Sequence, residues 1–165
     1  MNHPRTVVSH LMQLDAAPNE VFPLLCPVRE YEWIEGWVCE MIYSATGKAE
    51  AGAVFRTAFA ADGPPDTWVI SHYAPPCAIE FVRVNPLRAI HYAIHLEDEA
   101  PGQSRRRWTQ TLTGLNPAGD AQVAAVDAAA FAQKINGLAA KLAHFLATGK
   151  ALRDNATSPA DASPR

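Results

Sequence analysis

No stretch of the 165-residue sequence comes near the roughly 18 consecutive apolar residues needed to span a bilayer. The opening MNHPRTVVSHLMQLDA is interrupted by His10, Gln13 and Asp15, where a secretory leader would be continuously apolar. A cytoplasmic location is therefore expected. Cysteine is scarce: Cys26, Cys39 and Cys77 are odd in number and widely spaced, which argues against a disulfide framework and for three free thiols. The formal net charge is only −3, and the basic residues are scattered except at Arg105-Arg106-Arg107. A nucleic-acid binder would need a basic face to offset phosphate, so nucleic acid is not an expected partner. There is no glycine-rich phosphate loop, no GxSxG elbow and no HExxH. The nucleotide-dependent and hydrolase classes lose their sequence support, and no cofactor is expected.

What remains is a globular composition, with 48% hydrophobic and 19% charged residues. Residues 1–152 read as one domain, and 153–165, polar and proline-bearing, as a disordered tail. Thr6 to Leu14 alternates, with Val8, His10, Met12 and Leu14 on one face, which is strand periodicity. Asp15-Ala16-Ala17-Pro18-Asn19-Glu20-Val21-Phe22 then supplies capping groups and a proline suited to the first turn of a helix. Pro23 and Pro27 keep the helical segment short or split it in two.

Strand patterns follow at Trp37 to Ser44, Ala53 to Ala60, Thr67 to Tyr73, Ala78 to Val84, Ala89 to Leu96 and Arg105 to Leu115. Their short connections predict an antiparallel meander, since a parallel pairing needs a longer crossover. From Asp120, read as the cap, to Thr148, the residues Phe131, Ile135, Leu138, Leu142 and Phe145 recur at helical spacing and predict one long amphipathic helix ended by Gly149.

The Asp15 to Phe22 segment, the Trp33 to Trp37 segment, and Trp108-Thr109-Gln110-Thr111-Leu112-Thr113-Gly114-Leu115 leading to Gly119 and the last helix together resemble the START-type helix-grip (SRPBCC) superfamily. That superfamily includes pollen-allergen-like proteins, lipid-transfer domains and aromatic polyketide cyclases. The resemblance covers about residues 5 to 150 and implies an α+β fold. In it a curved antiparallel sheet of about seven strands wraps a long C-terminal helix, with two short helices after the first strand and a cavity between sheet and helix.

On that picture Tyr31, Trp33 and Trp37 close one cavity mouth with the neighbouring glutamates facing water, or else plug an ordinary core. Strand parity would put Met41, Tyr43, Phe55, Phe59, Trp68, Phe81, Tyr92 and Trp108 on the inner face. Met12 and the helix residues Phe131, Ile135 and Leu138 complete the lining. His10, beside Val8 and Met12, is the best inward histidine, and His72, sharing parity with Trp68 and Ile70, is next; His91 and His95 look outward. The pair His91 and His95 would share a helix face, but on a strand four residues span about 13 Å, which counts against a metal site. The runs Glu97-Asp98-Glu99 and Arg105-Arg106-Arg107 would face each other across a solvated hairpin.

The function expected is binding of a small hydrophobic molecule, lipid-like or polyketide-like, with orientation from His10, His72 and Tyr43. The alternatives are a cyclase-like enzyme using cavity His or Tyr groups as acid and base, and an interaction module of the chaperone-activator type with an exposed apolar groove. Whether a reaction is catalysed, the oligomeric state and the identity of the ligand are left open by the sequence.

Overall fold

The computed structural model describes residues 2–154; the expected tail lies, from residue 155 on, outside the described residues. Alternation of apolar and polar residues becomes seven strands: β1 (Arg5–Leu14), β2 (Glu40–Tyr43), β3 (Val54–Thr57), β4 (Asp66–Ala74), β5 (Ala78–Val84), β6 (Arg88–Ala100) and β7 (Gln103–Gly114). They form one antiparallel sheet in the order β1-β7-β6-β5-β4-β3-β2. The meander from β2 to β7 is thus completed by the first strand pairing with the last. In that pairing His10 lies opposite Trp108 and Met12 opposite Arg106.

The helices are α1 (Pro18–Val21), α2 (Pro117–Ala124) and α3 (Ala128–Thr148). The prolines do shorten the first helical segment: α1 gives way to 3₁₀ turns at Phe22–Leu25 and Glu30–Glu32. The single long helix predicted from Asp120 is two helices, with a break at 125–127. Asn116, not Asp120, caps the first of them, accepting from the Gly119 amide at 2.9 Å. Asp127 caps α3 by accepting from the Ala130 amide at 2.9 Å. The 21 residues of α3 make a rod of about 32 Å at 1.5 Å per residue, shorter than the unbroken reading required. Gly149, in the left-handed conformation with φ 69°, ends it. Gly119 answers a different need: a Cβ there would sit 1.7 Å from the Leu87 carbonyl oxygen, so α2 can lie against the β5–β6 turn only without a side chain.

Two covers share the concave face. α3 buries Phe131, Ile135, Leu138 and Leu142 and lies mainly against β1. Over the strands at the other edge comes the segment after α1, whose Trp37 ring meets Phe59 with centroids 5.5 Å apart. The buried residues of the two covers and the sheet belong to one contiguous core.

Candidate functional site

The inner face of the sheet carries a continuous line of rings. Phe55 stacks on Trp68 at 5.3 Å, Trp68 meets Phe81 edge-on at 5.7 Å, Phe81 approaches Tyr92 at 6.5 Å and Tyr92 meets Trp108 at 5.9 Å. All five are at most 1% exposed. A side chain at that level touches neither bulk water nor an internal space wide enough for a water molecule, so these rings are close-packed core. Met12, Phe131, Ile135 and Leu138 are buried with them, while Met41 and Phe59 are half-buried at the margin.

The aromatics of the Trp33 to Trp37 segment divide differently from the expectation. Trp33 and Trp37 are buried, and each indole N–H donates at 2.8 Å to a backbone carbonyl of the preceding turns, Leu24 and Pro27 respectively. Tyr31 instead stands half exposed, its hydroxyl donating to the Cys39 carbonyl and accepting from the Cys39 amide. Glu32 and Glu35 face water, but Glu30 is fully buried. The 3₁₀ turn explains this, because residues three apart eclipse one another and Glu30 follows Trp33 inward.

Two inward expectations fail for one reason. The ladder shifts register between Ile70 and His72 and between Met41 and Tyr43. Each irregularity adds a residue to one strand and reverses the facing of the residues beyond it, so His72 and Tyr43 are exposed. His10 is half-buried and turns toward α3, where its Nε2 lies 2.9 Å from Asn136 Oδ1. His91 and His95 face outward as expected, and their Nε2 atoms lie 2.9 and 2.6 Å from the two oxygens of Glu80. Burial pushes the Glu80 carboxyl up, but these two hydrogen bonds more than reverse it and hold it below the usual carboxylate range.

Acid–base chemistry has little to draw on among the predicted groups. Tyr43 and His72 face solvent, His10 is engaged with Asn136, and burial holds the Tyr92 phenol far above its ordinary range and therefore neutral.

Empty space lies elsewhere, at the seam between sheet and helix. A groove of about 730 Å³ separates the end of β1 and the start of α1 from the second half of α3. Its apolar surface comes from Leu14, Ala16, Ala139, Ala143 and Leu146, and its polar edge from Gln13, Asp15 and Glu20. Alanine makes the groove: Ala139, Ala140, Ala143 and Ala147 recur at helical spacing on one flank of α3, and none has a side chain long enough to reach β1. None of the residues predicted as ligand-binding lines this groove. The signal for it in the sequence was that run of alanines beside the buried stripe.

A second feature, not expected from the sequence, is charge in the interior. Asp66, Arg83, Arg88 and Arg106 are each no more than 5% exposed. Arg83 donates to Asp66 and to Asp62, at 3.0 Å for the latter, and Arg88 reaches Asp66 at 3.0 Å. Arg106 instead donates to two carbonyls, Pro76 at 2.9 Å and Pro18 at 3.1 Å. Its neighbours in the basic run behave as a solvated hairpin should, with Arg107 bonded to Glu97 and Arg105 lying 3.5 Å from Asp98.

No helix among the described residues is long and apolar enough to cross a membrane. No protein-family model matches the chain, and no curated protein matches it either. Solved structures do. The crystal structure of Ara h 8.0201 superposes with a TM-score of 0.63 at 14% identity, over 88% of this chain and 99% of that one. Norcoclaurine synthase from Thalictrum flavum gives 0.62 at 8% identity, over 89% of each chain. DynU16, from the dynemicin biosynthetic locus, gives 0.55 at 20% identity, over 89% of this chain and 49% of DynU16. Identities this low speak of architecture alone, and with the sheet order, the short helices after β1 and the long terminal helix they establish that this chain has the helix-grip fold.

Proposed function

We propose that the protein binds a small, largely apolar molecule at the seam between its sheet and its C-terminal helix. The observation that carries this reading is the groove of about 730 Å³ beside α3, a size within the range of about 300 to 1,000 Å³ typical of small-molecule sites. A lining part apolar and part polar, with its polar side chains on one edge, suits a ligand that is greasy along its length and polar at one end. The close-packed rings of the inner face support the site rather than form it.

The rival occupant, a partner protein, is disfavoured by scale. Ten residues line the groove, whereas a stable protein interface engages about 20 to 30 residues on each side. Two neighbours of the same fold, a synthase named for an organic product and a protein of a biosynthetic locus, are in keeping with a small-molecule ligand.

The test is titration with the neutral apolar dye Nile red, followed by fluorescence, on the native chain and on Ala143→Trp. The indole should fill the groove from the α3 side and weaken dye binding about tenfold or more, with the fold unchanged by circular dichroism. Equal binding by both proteins would move the site away from the groove, and no binding to either would remove the reading.

A further inference from the structure

Three successive inward residues of β7 each bury a polar atom that has no hydrogen-bond partner among the described residues: Ser104 Oγ, Arg106 Nε and Trp108 Nε1. All three side chains are at most 1% exposed. Buried donors are normally satisfied, so a native exception calls for an explanation. Other such atoms occur, at Tyr92, Arg105 and Gln122 among them, but these three are successive on one face of one strand. The middle one is also a cation. Among the described residues the Arg106 guanidinium donates to two carbonyl oxygens and faces the Phe22 ring, 5.7 Å from the centroid. No carboxylate pairs with it among the described residues. Burial pushes its guanidinium down to about 10, with the nearby Cys77 thiol acting weakly the other way, so it stays charged at neutral pH. Buried charges without a counter-ion are costly, and proteins seldom keep them.

The position of this cation relates it to the groove. Its acceptor Pro18 opens α1 and lies in the chain between Ala16 and Glu20, which line the groove. Ser104 lies opposite Leu14, another groove residue, in the β1–β7 register. One four-residue turn therefore serves as wall to the groove and as roof over Arg106.

We propose that Arg106, flanked by Ser104 and Trp108, anchors the carboxylate of an amphipathic ligand whose apolar part occupies the groove. The proposal rests on the groove reading above. On binding, the carboxylate takes the place of the Pro18 carbonyl at the guanidinium, accepts from Arg106 and the Ser104 hydroxyl beside it, and supplies a negative charge. The groove's own acids oppose this only weakly. Asp15 and Glu20 are exposed and already accept from Gln103 and from the Ala17 amide, and hydrated charges are heavily screened relative to a buried one.

The experiment compares decanoate, decan-1-ol and decylamine by isothermal titration calorimetry on the native chain, on Arg106→Gln and on Arg106→Met. In the native chain decanoate should bind about tenfold or more tightly than decanol, as a charge-assisted bond to a buried donor implies, and decylamine most weakly. In either folded variant decanoate should fall to the level of decanol, while decanol stays within about twofold of its native affinity. Decanol binding without any preference for the acid would overturn the anchor and leave the groove standing, as would a preference that survives in Arg106→Gln. Absence of binding by all three would overturn both. The native comparison decides the matter even if neither variant folds. Naphthalene-2-carboxylate in parallel separates a flat aromatic acid from an aliphatic one as the better occupant.

Discussion

The two ends of β6 bury arginine in opposite ways. At its start, Arg88 and the neighbouring Arg83 share Asp66, whose side chain is fully buried, and Arg83 also meets Asp62. Arg83 further lies 4.3 Å from the centroid of the Trp68 ring. Toward the other end, Leu96 lies opposite Arg106, a guanidinium equally buried but met, among the described residues, by carbonyls and a ring and by no carboxylate. Ionic partners turn the first into closed structure. The second retains charge that no carboxylate among the described residues answers, and the turn that roofs it also lines the groove. Burial of a charge is therefore not by itself the sign of a site. The sign is burial without an opposite charge.

Removing the shared carboxylate tests that contrast most severely. Asp66→Asn makes the first end resemble the second, taking from Arg83 and Arg88 the carboxylate they share. Breaking a buried ion pair from one side costs about 3 to 5 kcal/mol, and urea unfolding should read a loss of that size. A loss below about 1 kcal/mol would mean that the carbonyls and rings of the interior suffice for buried guanidinium groups, and the distinction between the two ends would lapse.

Lys134 probes the same cluster with a smaller expected effect. Burial pushes its ammonium down to about 8; Asp62 pulls it back up, and Arg83, Arg88 and Lys141 add to the depression. Because the folded value lies below the unfolded one, the unfolded chain binds more protons between about pH 8 and 10.5, and stability from this group rises with pH across that window. Below it the penalty for burying the charge is present in full. Lys134→Met removes that penalty. Its stability relative to the native chain should therefore decline by about 2 to 3 kcal/mol between pH 7 and pH 10 in denaturant titrations. Taking the difference between the two proteins cancels the tyrosine and cysteine titrations common to both. A difference that does not vary with pH would place Lys134 in water.

Much of this arrangement was legible in the sequence by parity. The seven strands, the outward His91 and His95 and the inward core rings follow from alternation. Parity also put Arg106 on the face of Trp108, Arg83 on that of Phe81, Asp66 on that of Trp68 and Arg88 on that of Ile90. Those four were missed because charged side chains are ordinarily assigned to the surface, and the run Arg105-Arg106-Arg107 reads as solvent-facing unless its middle member is separated from its neighbours. His72 and Tyr43 were misplaced for a reason no local pattern carried: a single extra residue in a ladder reverses parity and leaves no mark of its own. The break between α2 and α3 was hidden in an alanine-rich stretch whose composition favours helix throughout. The groove depends on how far α3 stands from β1, which only tertiary packing sets.

The smallest predicted effect bears hardest on the contrast between the two ends. Arg106→Met deletes two hydrogen bonds to carbonyls, each contributing about 1.5 to 3 kcal/mol when the donor is charged, but it also relieves a buried cation of a desolvation penalty of several kcal/mol. The two nearly offset, and methionine's flexible chain fills the space left between Met12 and Phe22. Stability in urea should therefore stay within about 1 kcal/mol of the native value, against the loss of several expected for Asp66→Asn. A loss of 3 kcal/mol or more would instead identify Arg106 as a strut joining α1 to the Pro75–Pro76 turn. Its missing counter-ion would then reflect a structural debt carried by the fold, and the two ends of β6 would differ in partners but not in purpose.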